Sequence, residues 1–389
     1  MTLLARALLL LALASWAYWL LALVAVRRHF RGAAPPLPVP PPPVSLLKPV
    51  RGVDADAREC HESFFRLDYP QYEIVFAVAD PADPVLPLLA ELRAAHPEVP
   101  SRVVVAPAPG PNRKACLLEA IAKVARHGVL VATDSDMRVA PSWLRDVVAA
   151  LSAPGVGLVT CPYRGAAPRS LAARLEALHM GVTFLPSTVV ASDRLGMPFA
   201  MGSTMALRRS DLDAIGGFGP LADYLADDYQ LGARVAALGR RVVLSSHIVD
   251  SVLGRTAFRD GWDREVRWGR CTRASQPAGH VGYAVTFSTP LALLALLATG
   301  FAPVGWGALA GSLAVRWGVA AGVARATRDR AALRALPLLP LRDALTAAVW
   351  VAALTGRQVR WRGEAFDVDR SGRLRPSARR TPAAGPGAR

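Results

Sequence analysis

Cysteine is scarce: there are four in 389 residues and no C-x-x-C pair. That excludes a disulfide scaffold and gives no sign of structural zinc. Lysine is scarcer still. Lys48, Lys114 and Lys123 are the whole set, so the basic residues are almost all arginine. Internal repeats are lacking too. Acidic residues are missing where the chain is most basic: residues 1–31 hold none, and residues 325–389 hold five against 14 arginines. The net charge of +16 is therefore carried by the ends, as +4 and +9, while residues 32–324 balance 28 basic against 25 acidic residues. A nucleic-acid footprint would place its charge on the folded body, so nucleic acid is excluded as a partner. Charge at the ends, next to apolar runs, suits anionic lipid headgroups.

Long apolar runs are present. The chain is 52% hydrophobic, which argues against disorder. Ala7 to Val26 is an uncharged run of 20 residues, enough to span a hydrocarbon core of about 30 Å. Arg27, Arg28 and Arg31 follow it and place that end in the cytoplasm. A cleaved signal peptide with an Ala12-Leu13-Ala14 site is the alternative; the apolar run continues past that site into a basic block. Residues 31–43 are a proline-rich linker, a stiff polyproline spacer. Later come Tyr283–Val304, expected to span, Trp306–Ala324, and Leu336–Gly356, which is broken by Arg342 and Asp343. Arginines flank this last segment on both sides, so it is expected to be re-entrant or interfacial. The tail from Ser377 is of low complexity. The expected division is a transmembrane helix over 1–30, the linker, a cytoplasmic catalytic domain over 44–279, membrane segments over 280–356 and a basic cytoplasmic tail over 357–389.

Between Val44 and Tyr163, strand patterns alternate with helix patterns. Strands are predicted at Val44–Val50, Tyr72–Asp80, Arg102–Ala106, Val129–Asp134 and Gly157–Pro162. Helices are predicted at Arg58–Asp68, Pro84–His96, Lys114–His127 and Ser142–Leu151. This is the pattern of βαβ units and a mostly parallel sheet, with ligands expected at the carboxyl ends of the strands.

Acidic residues stand at those ends. Asp80 closes one predicted strand and Asp134-Ser-Asp136 closes another. Two carboxylates spaced D-x-D after a buried strand can share a hard divalent cation that holds a diphosphate; a solvated turn is the bland alternative. Asp227-Asp228 opens a helix pattern, either as favourable N-terminal charge or as a general base. Asn112-Arg-Lys114 opens another helix, where N–H groups and a lysine can hold phosphate. Phe258, Trp262 and Val266 recur at i, i+4 and i+8, so an amphipathic helix near 257–274 carries Arg264, Arg267 and Trp268. It can lie on a bilayer or pair its arginines with a leaving diphosphate.

The order of these motifs carries a resemblance. Ser45-Leu-Leu-Lys-Pro49-Val-Arg-Gly52, Phe-Phe-Arg-Leu-Asp68-Tyr-Pro70, Asp80, Asp134-Ser-Asp136, Asp227-Asp228 and Arg264-x-x-Arg267-Trp268 follow one another as in membrane GT-A glycosyltransferases. The chain resembles the ceramide glucosyltransferase family, and within it the bacterial hopanoid-biosynthesis glycosyltransferases, by Asp134-Ser-Asp-Met-Arg-Val139 and Leu225-Ala-Asp-Asp-Tyr229. The resemblance covers about residues 40–370, including Trp361-Arg-Gly363. It implies an α/β GT-A (nucleotide-diphospho-sugar transferase) domain with transmembrane helices, in a bacterial inner membrane with the catalytic domain cytoplasmic. It implies an inverting transfer of one glucose or N-acetylglucosamine from a UDP-sugar to a lipid hydroxyl, of a hopanoid polyol or of ceramide. Pro49, Gly52, Asp80, Asn112, Lys114 and Asp227 would surround the donor. Asp134 and Asp136 would hold Mg²⁺ or Mn²⁺. Asp228 would be the base, with Arg264, Arg267 and Trp268 near the leaving group and the acceptor. Two positions depart from relatives: ceramide enzymes often carry Gly where Asp136 stands, and processive synthases usually carry Gln where Arg264 stands. The second departure, with few apolar spans, favours single transfer over polymer export. A membrane-anchored binder of anionic ligands, without catalysis, is the rival from another class. If the tail only anchors, deleting residues 371–389 should barely change turnover.

Overall fold

The computed structural model describes residues 1–32, 35–361 and 364–377. Ala33 and Ala34 of the linker, Arg362-Gly363 of the Trp361-Arg-Gly363 motif and the tail beyond Ser377 lie outside the described residues. The first half runs β1 (Val44–Pro49), α2 (Ala57–Ser63), β2 (Tyr72–Val78), α3 (Leu86–Ala95), β3 (Ser101–Val105), α4 (Arg113–Val124), β4 (Val129–Ala132), β5 (Met137–Arg138), α5 (Trp143–Leu151) and β6 (Val156–Thr160), after a leading helix α1 (Leu3–His29). Every predicted strand and helix of this region is present, most ending one to five residues short of the predicted C-terminal bound and four starting one residue early. The shorter strands leave the acids in loops, with Asp80 two residues past the end of β2 and Asp134 two past the end of β4.

The second half continues through β7 (Tyr163–Ala166), α6 (Leu171–His179), a π turn over Met180–Phe184, α7 (Leu185–Asp193), β8 (Met205–Arg208), α8 (Arg209–Ala214), α9 (Asp227–Ala237), β9 (Arg241–Leu244) and β10 (Val249–Val252). The main sheet has the order β3-β2-β1-β4-β8-β6-β9. All its neighbours are parallel except β8, which runs antiparallel to both β4 and β6. That reversal has a functional consequence. The carboxyl ends of β1, β2 and β4 share an edge, and the loop entering β8 comes to the same edge. Leu46, Ile74, Phe76 and Val131 face one helical layer; Leu47, Val75, Leu130 and Leu207 face the other. Burial on both faces explains the near-continuous apolar strands. A small sheet, β5-β10-β7, abuts that edge.

The chain then forms α10 (Phe258–Ser275), α11 (Pro277–Gly282), α12 (Ser288–Ala298), α13 (Pro303–Ala326), α14 (Arg330–Ala335) and α15 (Leu339–Leu354). Three stretches are long and apolar enough to cross a membrane: Leu3–His29, Pro303–Ala326 and Arg330–Leu354. The Tyr283–Val304 run expected to span belongs in part to a helix pair, Pro277–Thr286 and Ser288–Ala298, bent by 67°. Phe287 breaks the helical φ/ψ there, and α12 alone is only about 16 Å long.

The helices pack through small residues. A Cβ on Gly311 would enter the Trp16 ring, and one on Gly322 would come within 2.8 Å of Leu23. Such close approach is how helices associate where no hydrophobic drive separates them from lipid. Trp16 Nε1 donates to Ser312 (2.7 Å) and Trp19 Nε1 to Thr286 O (3.1 Å). Arg316, 1% exposed, lies over the Trp19 ring and meets Asp343 at 2.8 and 3.0 Å. Both ends of the last apolar stretch touch the region between α1 and α11. Arg164 of β7 donates to Thr327 O (2.7 Å) before it, and Arg270 of α10 donates to Thr355 O (3.0 Å) after it.

One expectation is overturned. The segment 357–389 does not begin as a tail: β11 (Gln358–Trp361), β12 (Glu364–Val368) and β13 (Leu374–Pro376) form an antiparallel sheet. Its inner face buries Val359, Phe366, Val368 and Leu374 around Leu225.

Candidate active site

The carboxylates that close β4 and open α9 stand 93 positions apart and meet at one lysine. Lys114 Nζ lies 2.7 Å from Asp134 Oδ1 and 3.4 Å from Asp227 Oδ2. Burial works against its charge, but Asp134, Asp227 and Asp228 outweigh it and hold the ammonium well above its ordinary range. Lys114 stands in the first turn of α4. Asn112 caps that helix, accepting from Ala115 N (3.0 Å), while its amide donates to Tyr224 O (2.9 Å) and Asp227 Oδ1 (3.2 Å). The side chain of Asn112 is thus engaged with protein. Its expected place beside a phosphate becomes a structural one, fixing Asp227.

Gly202, in the loop before β8, joins the two acidic motifs through its backbone. Asp134 N donates to Gly202 O (2.9 Å), and Gly202 N donates to Asp228 Oδ2 (3.0 Å). A Cβ at this position would overlap Asp134 Oδ2 and reach within 2.7 Å of Lys114 Nζ. Only glycine fits. Asp228 also accepts from Tyr229 N (2.7 Å). Burial, then the neighbouring charge of Asp227, pushes its carboxyl up to about 6, against the pull of Lys114 and the Tyr229 N–H. A carboxylate poised there suits a general base.

The Asp134-Ser-Asp136 loop is held from several sides. Lys48 of β1 is fully buried, donates to Asp134 O (2.7 Å) and lies 3.9 Å from the Phe64 ring centre. Burial brings its ammonium down to about 8. Ser135 donates to Asp54 (3.0 Å), and Ser251 of β10 donates to Asp136 Oδ2 (3.2 Å). Burial, then the charges of Asp134 and Asp54, raise the Asp136 carboxyl to about 6. Negative charge is concentrated here, and a divalent cation would relieve it.

Other expected residues lie around this core. Pro49 ends β1. Gly52, at φ +70°, donates its N–H to both oxygens of Asp83 (3.0 and 3.1 Å). Asp80 is exposed and accepts Ala82 N in its own turn (2.8 Å). Asp83, three residues on and buried, is what orders the Gly52 loop. The amphipathic helix is present as α10. Arg264 makes a two-pronged pair with Glu176 of α6 (2.6 and 2.7 Å), so part of its guanidinium is engaged by protein. Arg267 lies one turn further along α10. Trp268 packs with Tyr163 against Ala173, Ala177 and Leu253. Burial and the charges of Asp228, Asp134 and Asp136 raise the Tyr163 phenol far above its usual range, so it stays protonated beside the acids. No local pattern pointed to Gly202, Asp54, Glu176 or Tyr163. Each earns its place by contact with a distant segment, and no local spacing marks it.

A family model described as glycosyl transferase family 21 matches residues 7–374. The chain belongs to glycosyl transferase family 21. Two Caenorhabditis elegans proteins of similar sequence are ceramide glucosyltransferase 1, 24% identical over 242 residues (61% of this chain, 51% of that protein), and ceramide glucosyltransferase 3, 24% identical over 238 residues (61% and 52%). The chain spans about half the length of these curated relatives. Among solved structures, the mannosyltransferase PcManGT from Pyrobaculum calidifontis, in complex with GDP-Man and Mn²⁺, superposes with a TM-score of 0.54 at 22% identity, covering 90% of this chain and 98% of that one. At that identity the likeness concerns the fold, which resembles that of GT-A glycosyltransferases, as the motif order implied. The family 21 chain thus has an α/β domain of this kind, with its two acidic motifs brought together, and apolar helices on both sides of it in sequence.

Proposed function

We propose that this chain is an inverting glycosyltransferase moving one sugar from a UDP-sugar to the hydroxyl of a lipid. One observation supports this above the others: Asp134 and Asp228 converge on Gly202, with Lys114 between the two motifs. Family membership adds to it. Both speak for catalysis over the non-catalytic anion binder.

The donor set suits Mg²⁺ or Mn²⁺. Asp134 and Asp136 offer hard oxygens where negative charge is crowded. Among the described residues no group of three or more His, Cys, Asp or Glu could hold a metal ion by itself, so a diphosphate would complete the shell, as these ions commonly require. When bound, the ion would neutralise charge on the departing diphosphate. The chain's own residues do the rest. Asp228, fixed by the Gly202 and Tyr229 N–H groups, takes the acceptor proton. The acceptor oxygen then attacks the anomeric carbon from the face opposite the leaving group, giving a β-glycoside. Lys114 and Arg267 supply positive charge where the leaving group gains negative charge. Arg264, braced by Glu176, orients α10, and Trp268 forms an apolar wall near the acceptor. Pro49, Gly52 and Asp80 border the donor from the β1 and β2 ends.

The acceptor reading has two branches. The Asp134–Val139 and Leu225–Tyr229 motifs favour a hopanoid polyol; the ceramide glucosyltransferases of similar sequence support ceramide equally. Comparing lipids by mass spectrometry from cells with and without the chain separates them, and the added mass distinguishes glucose from N-acetylglucosamine. For the mechanism, Asp228→Asn should keep UDP binding within about twofold while removing transfer by about a hundredfold or more. Turnover at the wild-type rate would refute the base assignment.

The membrane reading is that α1, the bent α11–α12 pair and α13 cross a bacterial inner membrane, with α10 at its cytoplasmic surface and α15 entering from that side as a re-entrant segment, since its Asp343 meets Arg316 within α13. The arginines after α1 and α13 support that orientation. Phe258 and Trp262 of α10, and Leu341 and Val351 of α15, are exposed apolar side chains suited to the bilayer interface.

A further inference from the structure

The C-terminal sheet touches each of the three segments that carry the proposed transfer machinery. Its β13 edge pairs with the loop leading into Asp227-Asp228: Leu374 N donates to Asp223 O (2.7 Å), and Leu225 N donates to Gly372 O (3.1 Å). Between these two bonds Tyr224 and Arg373 form an antiparallel bridge. Arg373 Nε also donates to the Tyr224 hydroxyl (3.2 Å), with its guanidinium 5.4 Å from the Tyr224 ring centre. Leu225 is 4% exposed and is buried by Val359, Phe366, Val368 and Leu374. Two residues later comes Asp227, whose carboxylate meets Lys114.

The second segment is α10. Cys271 and Ala274, on the turns after Trp268, pack into the same apolar cluster. Arg270 donates to the carbonyls of Thr355 and Gln358, and Arg273 to those of Leu354 and Gly356. The third is the start of α4, where Arg113, next to Lys114, pairs with Glu364 of β12 (2.6 Å). Tyr224 is itself tied to α4, since its carbonyl accepts from Asn112.

We propose that the β11–β13 sheet is a positioning element for the transfer step, a clasp that sets the Asp228 loop against α10 and the Lys114 turn. Leu225 and Leu374 are its positioning residues. The proposal rests on the glycosyltransferase reading above. It replaces the expectation that deleting residues 371–389 would leave turnover unchanged, because that deletion removes β13. The energetic logic is one of orientation. The loop 215–226 has little regular structure beyond one short turn, so its conformation is fixed by what it pairs with. Loss of the partner strand frees that loop to shift the base, and a misplacement of about 1 Å can cost about a hundredfold in rate.

The test uses the full-length chain in membranes with their native lipids, with UDP release from UDP-glucose and from UDP-N-acetylglucosamine as the assay. Leu374→Ala should lower kcat per folded molecule about tenfold to a hundredfold, while the donor KM stays within about twofold and Leu374→Ile restores most of the rate. Gly372→Ala is the second variant, should the first fold poorly. Gly372 sits at φ +83°, so a side chain strains the turn whose carbonyl Leu225 uses, and the core is left intact. It should show the same loss in kcat with unchanged KM. A wild-type kcat in both variants overturns the proposal. So does a loss seen only as a smaller folded fraction, with kcat per folded molecule unchanged. Asp228→Asn run alongside separates the two levels. An active Asp228→Asn refutes the mechanism itself. An inactive Asp228→Asn beside fully active sheet variants refutes the clasp alone.

Discussion

Asp228 accepts two backbone N–H groups, and burial with Asp227 beside it raises its carboxyl to about 6. The groups around it fix the sign of the pH response. Asp227 and Asp134 oppose ionisation, while Lys114 and the Tyr229 N–H favour it. A base must be unprotonated, so kcat/KM should rise with pH through about 6 and level off above it. A profile flat down to pH 4.5 in the wild type would contradict the assignment. Four carboxylates of this site are legible in the sequence, because D-x-D after an apolar strand and a doublet at a helix start are local patterns. Gly202 is not legible, although it bonds to both motifs. Its lack of a side chain leaves the space that the Asp134 carboxylate and the Lys114 ammonium occupy, a property of three segments together. The same holds for Asn112, whose place before a helix suggested phosphate and whose amide is instead spent on Tyr224 and Asp227.

Among the elements, α10 shows how charge inside apolar surroundings can be read two ways. Its sequence supports an amphipathic helix with arginines on one face. In the structure, Glu265, between the motif arginines, faces inward and meets Arg342 of α15 in a fully buried two-pronged pair at 2.7 and 2.8 Å. Arg342 had counted as a break in an apolar run. Here it fastens α15 to the helix that carries Arg264, Arg267 and Trp268. Removing one partner leaves an uncompensated buried charge and costs about 3–5 kcal/mol, whereas replacing both with apolar residues of similar volume is often near neutral. Glu265→Gln or Arg342→Met alone should therefore destabilise the protein in a thermal unfolding assay, and Glu265→Leu with Arg342→Met together should regain most of the loss. Equal losses in the single and double variants would mean that the pair is not what holds these helices. The C-terminal sheet carried a signal that charge obscured: Val359 and Trp361, then Phe366 and Val368, alternate as strands do.

At the scale of the whole molecule, contacts constrain topology where hydropathy alone does not. Arg330–Leu354 is as long and apolar as a span, yet the residues before and after it both contact the region between α1 and α11, at Arg164 and Arg270, and α15 packs against α10 through Arg342. The bent α11–α12 pair looks weaker by length, but it leads away from α10 toward α13. This arrangement predicts that the N-terminus and the 299–302 turn lie on one side of the membrane, with the 327–329 turn and the C-terminus on the other. An epitope inserted at each of the four places, probed by protease in sealed inverted vesicles, checks this. Finding the 327–329 turn and the C-terminus on opposite sides would make α14–α15 a true span.

The sequence by itself determined the α/β alternation, the apolar segments, the location of excess charge at the ends and the acids that close the strands. All of these are local: periodicity, run length and residue type are written within a few tens of positions. Tertiary structure alone decided that Lys114 stands between two acidic motifs, that β8 reverses and brings Gly202 to the shared edge, and that Arg342 and Glu265 join helices. It also decided that the basic C-terminal segment begins as a sheet against the Asp228 loop. The physical reason is common to these cases. A buried charge or a close backbone approach is tolerated only when a specific distant partner meets it, and no stretch of sequence names that partner.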